Sequence, residues 1–366
     1  MSDLGVVAIG RNEGERLRGC LLSLAGRGIP FVYVDSGSSD GSVDLARSMG
    51  SEVVELDMTR PFSAARARNA GYERLKEIEP GVTLVMFLDG DCEVADGWTD
   101  RARAELLARP GAAVVCGRRR EKFPEHSVYN RLADLEWDTP IGEAIACGGD
   151  SVIRADAFEA VGGFDPTAAA GEEPELCQRL RKAGWTVWRV DAEMTRHDLA
   201  MTRFRQWWRR QYRSGYNGLD ILTRFPGEDR LFSQELRRAR VWGVGWPLAV
   251  VAAEIVGELI GLFVVGTGSG AGPLIGPLMA TLVLLALPLQ MARLAWMIRK
   301  RVDGPRTALA YGVLTMVGKW ANLAGQVGYL LDRRRGRSAR LIEYKRVGEG
   351  QGASEPSAAS LASGGP

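Results

Sequence analysis

The sequence predicts an α/β domain built on a largely parallel sheet, followed by an α-helical membrane region. Three observations carry this. From Gly5 to about Thr195, short β-branched runs alternate with helical patterns. Apolar runs in that stretch end abruptly in a carboxylate. After Arg240, two apolar stretches are each long enough to cross about 30 Å of hydrocarbon as helices. The chain has 366 residues, 46% hydrophobic and 25% charged, enough apolar material for a core, so disorder of the whole is excluded.

In order, LGVVAIG reads as a strand, GERLRGCLLSLAG as a helix, FVYVDSG as a strand ending at Asp35, GSVDLARSMG as a helix and SEVVEL as a strand. SAARARNAGYERLKEI is a longer helical pattern before VTLVMFLDGD, whose apolar core stops in two carboxylates. Ligand crevices of such sheets lie at the carboxyl ends of the strands, so Asp35 and Asp89 are expected to face one site. From Thr195 to Arg240 the chain turns basic and aromatic, densest in RFRQWWRRQYRSGY, a surface element suited to an anion.

VWGVGWPLAVVAAEIVGELIGLFVVG and PLIGPLMATLVLLALPLQMARLAWMI are the expected spans. Glu254 and Glu258 in the first should turn toward a protein interior or lie near headgroups. Basic ELRRAR and RKRVDGPR flank the pair while GTGSGAGP between them is uncharged, which places that link outside and the first domain on the cytoplasmic side. A third stretch, TALAYGVLTMVGKWANLAGQVGYLL, holds Lys319, Asn322 and Gln326; basic residues on both flanks favour an interfacial helix over a third crossing. From Gly348 the composition is that of a disordered tail. The expected division is 1–195 catalytic, 196–240 interfacial or acceptor-facing, 241–331 membrane region, and 332–366 basic segment with tail.

Lysine and arginine number 47 against 45 acids, so the global positive charge of a dedicated nucleic-acid binder is missing. Five cysteines without a CxxC pair indicate neither a disulfide framework nor a zinc ribbon, and are expected as buried small hydrophobes. MSDLGVVAIGRNEGERL has no basic segment followed by a long apolar run and is not a secretory signal.

The strongest chemical signal is LDGDCE, where Asp89 and Asp91 flank Gly90 after an apolar strand. Carboxylates at i and i+2 of an extended chain project to one side and make a hard-oxygen site for Mn²⁺ or Mg²⁺, completed by phosphate oxygens and water. Alone, the same pattern is common in solvated turns. Here it stands with VVAIGRNEGERL, FVYVDSGSSDGS, ARNAG, GGDSVIRADAFEAVGGFDP and GEEPELCQRLRKAGW, and in this order and spacing the segments resemble the family 2 glycosyltransferases of the GT-A fold, a Rossmann-like mixed sheet. The resemblance covers roughly Gly5 to Gly184.

The resemblance implies a role for each matching position. AIGRNE stands where the family usually reads PVYNE, so Ala8, Ile9, Asn12 and Glu13 would line the nucleotide pocket. In the turn usually written VDDGSTDGS the first Asp matches Asp35 and the second is Ser36 here. Arg68 and Asn69 of ARNAG would approach the nucleotide, with Asp89 and Gly90, and Asp89 and Asp91 would hold the metal. Gly148, Gly149 and Asp150 would meet the acceptor. The acidic pair of GEEPEL, Glu172 and Glu173, would carry catalysis, with Glu173 the general base in an inverting transfer; acids at a helix N-terminus with a nearby proline explain the same residues structurally. His197 is either a further metal or diphosphate ligand or a satisfied histidine. Trp207, Trp208, Arg209, Arg210 and Arg213 either hold the acceptor or anchor the domain at the membrane surface; QWWRRQYR departs from the QxxRW of processive relatives.

The implied activity is metal-dependent, inverting transfer from a nucleotide-diphosphate sugar to a membrane-associated acceptor, with membrane lipid as surroundings, no nucleic acid, and a multi-pass location in the cytoplasmic membrane. The acceptor is a lipid-linked saccharide of polysaccharide or envelope-glycan synthesis or, alternatively, a polyprenyl phosphate. Two other classes stand beside it: a nucleotidyltransferase, whose basic Gly-rich loop is missing from AIGRNEGERL, and a non-catalytic nucleotide-sugar-binding membrane protein. The sequence names neither base, sugar, oligomeric state nor protein partners.

Overall fold

The computed structural model describes residues 3–168, 171–224, 230–266 and 272–337. Part of the uncharged link, 267–271, and the tail from 338 onward, including the segment after Gly348, lie outside the described residues.

The strands are β1 (Leu4–Gly10), β2 (Phe31–Asp35), β3 (Glu52–Glu55), β4 (Leu84–Asp89), β5 (Cys92–Val94), β6 (Ala112–Glu121), β7 (Gly142–Glu143), β8 (Ser151–Arg154) and β9 (Thr186–His197). They form one sheet in the order β3-β2-β1-β4-β8-β6-β9-β5, with β7 also on β9. β3, β2, β1 and β4 are parallel, as the alternating pattern predicts. Beyond β4 the sheet is mixed, as the resemblance implies: β8 runs antiparallel between β4 and β6, β6 and β9 run parallel, and β5 and β7 run antiparallel on β9. Hydrophobic runs report burial on two faces, not strand direction, so the local pattern could not separate the two cases. The sheet is mixed and is followed by helices. β9 runs through position 195 to His197.

Val6, Val7 and Ala8 of β1 are fully buried in the core. Gly10 pairs with Asp35 and Ile9 with Asp89, so the three parallel strands end side by side. That edge carries the site.

The basic aromatic element is a helix, Phe204–Arg224, followed by Arg230–Arg240, a π-helical turn Val241–Gly245, and the apolar helix Trp246–Gly266. Pro247 explains the π turn, because it has no N–H for the carbonyl of Gly243 and its ring presses on that carbonyl. The second apolar stretch is broken at Leu285 into Ile275–Leu284 and Ala286–Ile298. Pro288 acts on the Leu284 carbonyl in the same way. Among the described residues, two helical segments, Ser233–Val265 and Gly272–Ile298, are long and apolar enough to cross a membrane. Leu248, Ile255, Leu259, Leu262 and Phe263 stand exposed along the first. Where Gly257 meets Gly276, the Glu254 carbonyl and Glu258 Oε1 lie beside Gly276, while Glu258 as a whole is exposed.

The third apolar stretch is one 30-residue helix, Pro305–Arg334, packed along Phe204–Arg224. Its polar residues face protein: Asn322 and Gln326 are buried, and Gln326 accepts from Arg240 Nε at 2.7 Å and donates to the Leu236 carbonyl at 3.3 Å. The two helices touch backbone to backbone. A Cβ on Gly215 would lie 1.9 Å from the Asn322 carbonyl oxygen, and one on Gly325 2.0 Å from that of Tyr212. Gly215→Ala must separate the helices, so we expect a loss of about 1–3 kcal/mol, typical of overpacking, read as a lowered thermal midpoint in detergent; an unchanged midpoint would contradict the seam.

Candidate active site

A cavity of about 900 Å³ opens between the carboxyl edge of the sheet and the helices that follow it. Its floor comes from the strand ends and from the helix Glu172–Lys182; its roof from Phe204–Arg224, Arg230–Arg240 and Pro305–Arg334. On balance the floor is acidic, with Glu13, Asp89, Asp91, Glu172 and Glu173 against Arg11, Arg68 and Arg119, and the roof basic, with Arg210, Arg213, Arg238 and Lys319 against Glu235.

Arg68 ties the floor together. It stands in the helix Ala64–Ile78, capped by Ser63 Oγ, and is 2% exposed. Its guanidinium donates to Asp89 at 2.8 Å, to Glu172 at very short range, and lies 3.3 Å from Glu173. Burial works against its charge, but the carboxylates of Glu173, Asp89 and Glu172 outweigh that and raise its pKa. Arg119 plays a parallel part: it pairs with Asp150 at 2.9 Å and Asp89 at 3.6 Å and lies over the Trp137 ring. Gly149 sits where a Cβ would come within about 3.0–3.1 Å of Asp89, Arg119 and Arg68 at once.

Glu172 and Glu173 open their helix after Gly171, whose φ of +83° suits glycine. Pro174 occupies the third helical position, where no intrahelical N–H partner is lost. Glu172 is turned into Arg68, whereas Glu173 keeps 17% of its side chain exposed to the cavity. Burial, and then the charge of Glu172, push the Glu173 carboxyl up to about 7 against the pull of Arg68. A carboxylate poised there can take a proton from a hydroxyl near neutral pH.

His197 ends β9 opposite Cys92, with Nε2 3.2 Å from Asp91 Oδ2. Burial and the neighbouring Arg119 lower its pKa to about 4, so the imidazole is neutral. With Nε2–H given to Asp91, the buried Nδ1 lone pair has no partner. Ligand atoms of Asp91, Cys92 and His197 lie within 4.8 Å of one another, as do those of Asp89, Cys92 and Asp150. Carboxylates with a neutral imidazole and an orphaned buried nitrogen fit a divalent ion.

Not every residue expected here reaches the cavity. Ile9, Glu13, Ser36, Arg68, Asp89, Gly90, Asp91, Gly148, Gly149, Glu172, Glu173, His197, Trp207, Arg210 and Arg213 line it. Ser36 Oγ is buried without a hydrogen-bond partner. Asp35 is turned into its own turn, accepting from the N–H groups of Gly37 and Ser38, from Ser38 Oγ and from Tyr33 Oη. Asp150 is fully buried, taken up by Arg119, Thr195 Oγ1 and the Asp89 N–H, so it braces Asp89 and offers an acceptor nothing. Asn69 is spent on both backbone groups of Phe164, and Asn12 accepts from the Ser39 N–H. Ala8 is core; Trp208 packs at the edge of a small cluster around Trp207; Trp208 and Arg209 are off the lining. Sequence reasoning missed Arg119, Trp137, Arg238 and Lys319. Arg119 follows register shifts in β6, which re-aim the Arg118–Arg120 run and defeat simple alternation.

A model described as glycosyl transferase family 2 matches residues 6–161, and one described as glycosyl transferase family group 2 matches residues 84–298. The chain is 27% identical over 189 residues to succinoglycan biosynthesis protein ExoA of Rhizobium meliloti, covering 48% of this chain and 55% of that protein. It is 27% identical over 237 residues to the pre-mycofactocin glycosyltransferase of Mycobacterium tuberculosis, covering 61% of this chain and 48% of that one. The chain thus spans about half the length of these curated relatives. The mannosyltransferase PcManGT of Pyrobaculum calidifontis, solved with GDP-Man and Mn²⁺, superposes over 90% of this chain and 88% of its own, with a TM-score of 0.53 at 16% identity, which establishes the GT-A fold.

A base with a pKa of about 7 must lose its proton to work, so kcat/KM should rise with pH through about 7 and then level off. We expect Glu173→Gln to remove that acid limb; a wild-type profile flat from pH 5 to 9 would sink the role of Glu173.

Proposed function

Because the chain belongs to the family 2 glycosyltransferases and is an enzyme using a nucleotide-sugar donor, we propose that it transfers the sugar with inversion, with the help of a divalent ion, to an anionic membrane-associated acceptor. The observation that carries this is the division of one cavity into an acidic floor and a basic roof. In this proposal Asp91, Asp89 and His197 hold Mn²⁺ or Mg²⁺, and the ion supplies charge neutralisation of the leaving diphosphate. Arg68 and Arg119 hold Asp89 in place from two sides. Ile9, Glu13 and the unpartnered Ser36 hydroxyl receive the nucleoside. Glu173 takes the acceptor hydroxyl's proton as the anomeric carbon is attacked from the face opposite the diphosphate. Glu172 holds Arg68 and so sets the position of Glu173.

Arg213, Arg238 and Lys319 suit a phosphate on the acceptor side. The exposed apolar helices support anchoring in the cytoplasmic membrane by two crossings, with the site on the cytoplasmic face and Pro305–Arg334 lying at the surface beneath it. The chain then divides near 195, 240 and 331. The succinoglycan name of one relative supports a lipid-linked saccharide of polysaccharide or envelope-glycan synthesis as acceptor. The basic roof equally suits a polyprenyl phosphate, which would give an acid-labile phosphodiester in place of an acid-stable glycoside.

The test is donor release by detergent-purified protein against UDP-, GDP- and dTDP-sugars with Mn²⁺, Mg²⁺ or EDTA and membrane lipid extract. We expect release of one nucleoside diphosphate, abolished by EDTA and by Asp91→Ala. Glu173→Gln should keep donor binding and lose transfer by ~10² or more, the usual contribution of a general base. Tight donor binding without release under every condition would favour a binding module instead.

A further inference from the structure

We propose that Cys147 and Cys177 form a thiol modification site in the cavity wall, where a peroxide joins them in a disulfide that stops transfer; the second half rests on the function proposed above.

The two sulfurs lie 3.4 Å apart, and Cys177 Sγ accepts the Cys147 N–H at 3.5 Å. They belong to different parts of the site. Cys147 leads directly into Gly148 and Gly149 and lines the cavity at 8% exposure, whereas Cys177 is fully buried on the helix that begins with Glu172 and Glu173. A small oxidant in the cavity therefore meets Cys147 first, with Cys177 behind it. The electrostatics run the same way: the hydrogen bond from Cys177 lowers the Cys147 pKa against the effect of burial, and the same contact, with burial, raises that of Cys177. The thiolate is the nucleophile, so Cys147 is the attacking sulfur and Cys177 the resolving one.

The chemistry balances with a hydroperoxide as oxidant. Cys147 thiolate attacks the peroxide oxygen, forming sulfenic acid and releasing hydroxide, which takes up a proton to become water. The Cys177 thiol then attacks the sulfenic sulfur, forming the S–S bond and releasing a second water. Two thiols are oxidised and one peroxide is reduced. To bond, the sulfurs must close from 3.4 Å to about 2.0 Å. That draws the Gly148–Gly149 loop onto the helix of Glu173, at a place where Gly149 already has side-chain atoms of Arg68, Arg119 and Asp89 against it. Arg68 and Arg119 pair with Asp89 beside that loop, so the closure acts on the groups that hold Asp89.

The experiment treats the purified full chain with hydrogen peroxide, blocks remaining thiols, and maps peptides by mass spectrometry beside a transfer assay. We expect a Cys147–Cys177 peptide pair two hydrogens lighter than its parts, loss of most transfer activity in step with its formation, and recovery of both with dithiothreitol. Cys177→Ala should retain basal transfer, form no such pair, and leave Cys147 as a sulfenic acid captured by dimedone. Thiols that stay fully alkylatable in an active enzyme would overturn the site, and complete cross-linking with unchanged activity would overturn its effect. The wild-type peptide map needs no variant to fold. It also separates the two proposals, since an enzyme inactive before peroxide counts against the function while the map still judges the thiols.

Discussion

One buried guanidinium holds the site in place. Arg68 has lost nearly all contact with water, and three carboxylates from two distant segments converge on it: Asp89 at a strand end, and Glu172 and Glu173 at a helix start. Removing charges from water is costly, and a buried cation is tolerable only with partners in good geometry. The constraint therefore works in both directions. The acids keep Arg68 charged, and Arg68 dictates how close the strand end and the helix start must lie. Asp150 and Arg119 repeat the device one strand further along the sheet. Between the two arginines, Asp89 is fixed from both sides.

The same arrangement divides the labour of the acidic pair. Glu172 is turned onto Arg68, while Glu173 looks into the cavity and burial raises its pKa. His197 shows the opposite displacement, held neutral by burial and by Arg119 so that it offers a lone pair where a cation would be repelled.

Much of this was legible in the chain because it is local. An apolar run that stops in LDGDCE shows a strand end and its carboxylates, and GEEPEL shows a helix start with an acidic first turn. The roles of Asp35 and Asp150 were not legible, because each carboxylate is consumed by hydrogen bonds that depend on how the turn closes and on which strand lies alongside. Arg119 was hidden by the register shifts of β6, where alternation no longer tells inward from outward. The roof was hidden for a different reason: Lys319 lies some 230 residues beyond Asp89 in the chain, and nothing local says that its helix folds back over the sheet. Sheet direction was illegible because strands buried on both faces look alike in either orientation.

The glycine seam between Phe204–Arg224 and Pro305–Arg334 has a mechanical meaning. Helices normally rest on a layer of side chains whose rotamers can yield, so a small tilt of one is partly cushioned before it reaches the next. Here the carbonyls of Asn322 and Tyr212 bear directly on the opposite backbone, and close-packed contacts of that kind transmit strain. The two helices form a single stiff lever, with Arg213 on one arm and Lys319 on the other. A force that tips Pro305–Arg334 is carried into the cavity roof.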